Sequence, residues 1–321
     1  MTSTPMSTIA IGPVVVLDKP SATTRARSIL GRIALAVTVV FFLALLVAPG
    51  VLAHVDPIAT GDDILAAPSA AHLFGTDQLG RDVFSRTIHG AHPVLLASLL
   101  GVLLATVAGV ALGIAAGVAP RWLNTVLMRA VDVLLALPVL LIALMLIATA
   151  GSGVASIVMA IGIAFTPGFA RIVEGSVRRL RSAEFVQAAY VFGSTRMRTS
   201  VRHLLPNLVT EVVVLGSSAI GWAVLTATTL SFLGLGVLLP QPDWGSDLAA
   251  GATNLSIAWW LSTFPGLAIT ITILLANFSG DYLMTLLDPR SKTRFRLFTG
   301  ARSRAGRRVT EPVGSEPEVA S

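Results

Sequence analysis

The sequence of 321 residues contains no cysteine. Disulfides, thiol catalysis and Cys-ligated metals are thereby excluded, while the redox compartment is left open. Charge is nearly as scarce. Asp, Glu, Lys and Arg make up 12% of the chain, against roughly 25% in soluble domains. Lysine occurs only as Lys19 and Lys292, preceded by Asp18 and Ser291. A phosphate-cradling P-loop needs Gly-Lys followed by Ser or Thr, so the chain is not a Walker-type ATPase. Its five histidines, His54, His72, His89, His92 and His203, have no HExxH or comparable ligand spacing, which leaves no metal centre or catalytic constellation to be read.

What is present is apolar: 54% hydrophobic residues and a mean hydropathy of +0.80, the composition of an integral membrane protein. Crossing about 30 Å of hydrocarbon at 1.5 Å per residue takes about twenty residues. Six runs approach that length: Ile33–Ala53, Val94–Val118, Leu127–Ala150, Val154–Phe169, Leu208–Gly236 and Thr263–Leu287. The first is longer than the apolar region of a cleavable signal peptide, about 7–15 residues, and is read as a span. The fourth is short and carries Gly162, Pro167 and Gly168, which a span tolerates where neighbouring helices satisfy the freed backbone.

The formal net charge of +6 matters less than its placement. Six spans put 21 of the 23 Lys and Arg residues on one side. The other side keeps Arg81 and Arg86 against Asp56, Asp62, Asp63, Asp77, Asp82, Asp243 and Asp247. The positive-inside rule then predicts that both termini are cytoplasmic. The expected organisation is a tail over residues 1–32, an all-α membrane domain over 33–289, and a basic tail over 290–321 without packed structure. Outside loops are expected at 54–92 and 237–262, and a cytoplasmic loop at 171–207. Trp244, Trp259 and Trp260 suit an interfacial aromatic belt. Asp132, Glu211 and Asp281 are the ionisable groups nearest the membrane, each toward the cytoplasmic end of its span, with Arg129 the natural i, i+3 partner of Asp132.

The cytoplasmic loop carries an amphipathic segment, EFVQAAYVFGSTRMRTSVRHLLPN, at residues 184–207. Phe185, Ala188, Ala189 and Phe192 share one helix face. Gly193 stops that helix, Ser194 or Thr195 caps a second turn carrying Arg196, Arg198 and Arg202, and Pro206 fits the start of the next helix. Such an elbow either lies on anionic lipid or docks in a groove of another protein. Its small Ala residues favour docking.

The stretch resembles the EAA loop of binding-protein-dependent ABC importers: EAA, three residues, Gly, a spacer, then a hydrophobic-Leu-Pro ending. Here these stand as Gln187-Ala188-Ala189, Gly193 and His203-Leu204-Leu205-Pro206. The family's usual Glu is Gln187, so a contact with a basic partner residue would be a neutral hydrogen bond; Glu184 lies one turn earlier. Residues 72–86, HLFGTDQLGRDVFSR, resemble the HPLGTDxxGRDxxSR signature of the C-type permease subunit of dipeptide, oligopeptide and nickel importers. Leu127-Met128-Arg129 with Asp132, Ser231-Phe232-Leu233-Gly234-Leu235-Gly236 and Leu287-Asp288-Pro289-Arg290 are similar to further landmarks of that branch.

The resemblance implies a type I importer permease of six transmembrane helices in a bacterial inner (plasma) membrane. It would pair with a homologous permease as a heterodimer and bind two cytoplasmic ATPase subunits that carry ATP and Mg²⁺. An extracytoplasmic binding protein would deliver a di- or oligopeptide, or nickel in the alternative. No catalytic group, cofactor or nucleic acid is expected on this chain. Glu184, Gln187, Ala188, Ala189, Gly193, His203, Leu205 and Pro206 would form the ATPase-coupling elbow. Thr76, Asp77, Arg81, Asp82 and Trp244 would shape the outside gate or the binding protein's seat, or hold a loop together through Asp–Arg hydrogen bonds. An ion-coupled carrier is the reading from another class.

Overall fold

The computed structural model describes residues 22–287, except that of residues 185–203 only Gln187, Val191, Thr195, Arg198 and Arg202 are described. Ten helices with both ends among the described residues follow in order: α1 Ala22–Val47, α2 Pro49–Leu52, α3 Val83–His89, α4 Ala91–Val118, α5 Arg121–Leu135, α6 Val139–Ala150, α7 Val154–Arg181, α8 Leu205–Phe232, α9 Trp244–Ala252 and α10 Trp260–Leu287. No strand occurs among the described residues. Helices α4, α7, α8 and α10 have 28 residues each, about 42 Å of helix, and all four are long and apolar enough to cross a membrane. In α1 the apolar part is the shorter stretch Gly31–Val47.

The expected third span departs from a straight rod. It is two helices, α5 and α6, meeting at 89°. Pro138 at the junction has no N–H to donate, and it pushes the residue before it out of helical geometry. Counted as one bent span, the pair raises the spanning number to five, with α1 as the remaining apolar segment. The expected fourth span is longer than its apolar run: α7 continues through Pro167 to Arg181. Residues 171–181, assigned by sequence to the loop, are therefore helical.

The tightest pairing joins α4 to α7. Gly101, Gly109, Gly113 and Gly117 recur at multiples of four and line one face of α4, with buried Ala105 on the same line. A Cβ on Gly113 would come within 2.7 Å of the Val173 Cβ and 2.8 Å of the Ala170 carbonyl oxygen, and one on Gly109 would collide with Phe169. Missing side chains thus let the two backbones approach, as small-residue spacing does between membrane helices. The core extends from this pair to α6 and α8 through Ile147, Ile157, Val224 and Leu230. Helix α10 lies against α8, and α1 flanks α4 and α10, with Gly31 directly under the Tyr282 ring.

Candidate functional site

Three features fall along the same helices: a polar cap at one end, an apolar groove at mid-length, and, at the arginine-rich end, the packed termini of α7 and α8 that flank residues 185–203.

The cap is built from the two loops that flank α3 and α9. Asp82 begins α3, its Oδ2 accepting from the Ser85 N–H at 2.8 Å, and its Oδ1 lies 3.0 Å from His72 Nδ1. Asp77 accepts from Arg81 Nε at 2.6 Å and from the Leu79 and Arg81 amides. Gly80, at φ +71°, makes the turn between them, a backbone state that only glycine adopts without strain. Thr76 donates to the Asp63 carbonyl and accepts from the Ala66 N–H at 2.8 Å. Arg86, 3% exposed, donates to Asp247 and to the Pro57 and Pro240 carbonyls, tying the first loop to the second.

Trp244 donates to the Thr87 carbonyl at 2.6 Å, and Trp260 to the Thr76 carbonyl at 3.1 Å. Both indoles are buried, so of the three expected belt residues only Trp259 is exposed, at 51%. Buried indole N–H groups need acceptors, and these two find them inside the cap rather than at a lipid interface. The five expected gate residues, Thr76, Asp77, Arg81, Asp82 and Trp244, are thus brought together with side chains engaged in the cap's own hydrogen bonds.

Asp243 starts α9, accepting from the Gly245 and Ser246 N–H groups. Burial dominates its titration and pushes the carboxyl up to about 6, against opposition from the Ser246, Ser231 and Gly245 hydrogen bonds. Burial also raises Asp247, with Arg86 opposing.

The groove, of about 610 Å³, runs between the start of α6, the middle of α7 and α8. Leu140, Phe165, Phe169 and Leu225 supply most of its character, and Trp222, 67% exposed, stands at its edge. No charged side chain lines it. Its hydroxyls are spent locally: Ser218, Thr226 and Thr229 donate to the carbonyls of Val214, Trp222 and Leu225 on their own helix. They can still accept a hydrogen bond from a passing solute.

At the arginine-rich end α7 and α8 pack together on either side of the segment expected to form the elbow. Leu204 and Leu208 are buried against Val173 and Val177, with Val110 and Ile114 of α4 behind them. Glu211 accepts from Ser176 at 2.7 Å and from Arg179 at 3.3 Å. Arg181 donates to the Gly117 carbonyl at 2.7 Å, closing the end of α4. Glu184 and Gln187 are helical and exposed, and Thr195 Oγ1 accepts from the Arg198 N–H, the cap expected of it. Pro206 lies in the first turn of α8. Of the motif's leucines, Leu204 is the buried anchor, while Leu205 is 37% exposed. Ala188, Ala189, Gly193 and His203 lie outside the described residues.

Asp132 pairs with Arg171 at 3.2 Å rather than with Arg129, because α5 lies against α7 and brings Arg171 within reach. Sequence reading missed Glu174, buried on α7 and held by Asn124 at 2.8 Å and Arg178 at 3.5 Å. An acid one turn before an Arg was the available signal; the Asn partner, fifty positions away, gave none.

Apolar helices of spanning length around an uncharged groove, under a polar roof, have the form of a polytopic membrane subunit. Residues 109–293 match the family described as the binding-protein-dependent transport system inner membrane component, and the chain belongs to that family. It is a permease subunit of an ABC importer and a membrane component rather than an enzyme. The chain is 42% identical over 231 residues to the glutathione transport system permease protein GsiD of Shigella flexneri serotype 5b (strain 8401), covering 72% of this chain and 76% of the relative. The corresponding protein of Escherichia coli O6:K15:H31 (strain 536 / UPEC) is 40% identical over the same coverage. A structure of the MetNI methionine ABC transporter in inward-facing conformations matches with a TM-score of 0.52 at 16% identity, covering 63% of this chain and 96% of that one. That likeness shows a shared fold.

Proposed function

We propose that this subunit forms one half of an ATP-driven import pathway for small peptides, with both termini in the cytoplasm of a bacterial cell. The carrying observation is mechanical: the middles of α7 and α8 wall the groove, and the C-terminal part of α7 packs against Leu204 and Leu208 at the start of α8, the two ends that flank the expected elbow. Packed helices move as units, so a push on the elbow tilts both walls of the groove. A homologous permease subunit would supply the facing half, and two ATPase subunits binding ATP and Mg²⁺ would deliver the push. ATP then favours one of two states, as any ligand with differential affinity does.

The uncharged groove supports transit over capture. A wall without fixed charge holds no ionised peptide terminus tightly, and selection falls to an extracytoplasmic binding protein seated over the cap. Glutathione is the substrate named for the similar permeases, and a tripeptide of that size fits the peptide reading. ATP-driven uptake tests it. Proteoliposomes holding this chain with its partner permease, ATPases and binding protein should accumulate labelled glutathione or di- and tripeptides when ATP is inside. Uptake driven by an ion gradient without ATP, or transport of nickel and not peptides, would refute the proposal.

A further inference from the structure

Apart from the groove and the cap, the arginine-rich end holds a recess of about 550 Å³ where α4 ends, α5 begins and α7 leaves the bundle. Arg121, Arg178 and Arg181 line it together with Asn124. Arg181 is fixed by its bond to the Gly117 carbonyl, and Asn124 bridges the Ala116 carbonyl and Glu174. No carboxylate lines the recess beside its three guanidiniums, and Glu174, buried on α7, is taken up by Asn124 and Arg178. Arg121 is exposed and makes no ion pair among the described residues. Converging arginines offer forked N–H donors whose geometry suits a phosphate.

The recess does not open onto bare solvent alone. Trp122 beside it is 68% exposed, and Val126 and Val133 are 59% and 66% exposed. Positions 122, 126, 129 and 133 share one face of α5, so an apolar stripe starts at the recess and runs along the helix, with the stem of Arg129 able to lie along it. A phosphate bound at the head of an apolar stripe, where two spanning helices end, has the layout of a lipid rather than of a free anion.

We propose that this recess binds the phosphodiester headgroup of an anionic phospholipid, with its acyl chains lying on the Trp122, Val126 and Val133 face of α5. Basic pockets between membrane helices take such headgroups, and each Lys or Arg near an anionic surface strengthens the attraction several-fold. The site is separate from the groove and the elbow, so it stands or falls independently of the transported solute.

The test uses the purified full chain in mild detergent, stripped of lipid and titrated with phosphatidylglycerol or phosphatidylcholine, with bound lipid counted by native mass spectrometry. Phosphatidylglycerol should be retained over phosphatidylcholine. Arg121→Gln should weaken its retention several-fold and Arg121→Gln/Arg178→Gln about tenfold or more, while Arg121→Lys keeps most of it. Since Arg121 is exposed and unpaired, the single variant leaves folding intact. Equal retention of the two lipids, or unchanged retention in both Gln variants, overturns the proposal. Displacement of the lipid by millimolar inorganic phosphate would make this a soluble-anion site. Loss of ATPase co-purification with lipid retention unchanged would make it a protein contact. Either result overturns the lipid assignment.

Discussion

Asp243 carries two demands at once. Its Oδ1 accepts the first free amides of α9, and its Oδ2 lies 3.3 Å from Ser231 Oγ on α8, yet the residue is 1% exposed. Burial outweighs those hydrogen bonds and lifts the carboxyl to about 6 from 3.8. From about pH 4 to 6 the unfolded chain gives up this proton while the folded chain keeps it, so folding stability falls as pH rises across that window. The fall amounts to at most about 3 kcal/mol for a shift of two units and levels off above 6. Asp247, also raised by burial, adds a fall of the same sign. Asp243→Asn keeps a cap acceptor but cannot titrate. Melting temperatures of the purified protein across pH 4–7 should decline less steeply in the variant, and an unchanged decline would contradict this origin. The charges that make the cap were legible as residues: Asp77, Arg81 and Asp82 stood out in the sequence. Their partners were not, since Arg86 meets Asp247 across 161 positions and no local pattern announces such a pair.

Among the elements, the α4–α7 contact depends on absent side chains. Gly113→Val would drive a branched side chain into Val173 and the Ala170 carbonyl, and overpacking of that kind costs about 1–3 kcal/mol. Gly175→Ala, on α7 but with nothing within 4 Å of the added Cβ, should be neutral or stabilise by up to about 1 kcal/mol through helix propensity. Thermal unfolding of the two variants separates close packing from a general intolerance of glycine replacement; equal destabilisation would count against the close approach. Of the six apolar runs, four correspond to helices of spanning length and one to the bent pair, while the first holds only the shorter apolar stretch Gly31–Val47. The 89° bend was not legible: Pro138 marks a break, but its angle depends on how α5 packs against α7. The helical extension to Arg181 was hidden too, since residues 171–181 mix five charged residues with apolar ones and read as loop beside a greasy span. At the elbow, sequence named the hydrophobic-Leu-Pro ending, and packing selects Leu204 as its anchor.

Across the whole molecule, the cap and the α7–α8 clasp at Leu204 and Leu208 stand at opposite ends of the same long helices, and the groove lies between them. Family membership fixes the class of machine, and the proposed transmission rests on one clasp: Leu204 just before α8, with Leu208 and Glu211 on it, meets Val173, Val177 and Arg179 on α7. The absence of cysteine allows that transmission to be read directly. With Thr226→Cys in the groove as the chain's single thiol, its rate of modification by a membrane-impermeant maleimide can be followed from each side of proteoliposomes containing the assembled importer. With transmission through the elbow, ATP with Mg²⁺ shifts accessibility from one side to the other by several-fold, and Gly193→Asp abolishes the shift. A rate on both sides that is indifferent to nucleotide, in an assembly that still hydrolyses ATP, would contradict it.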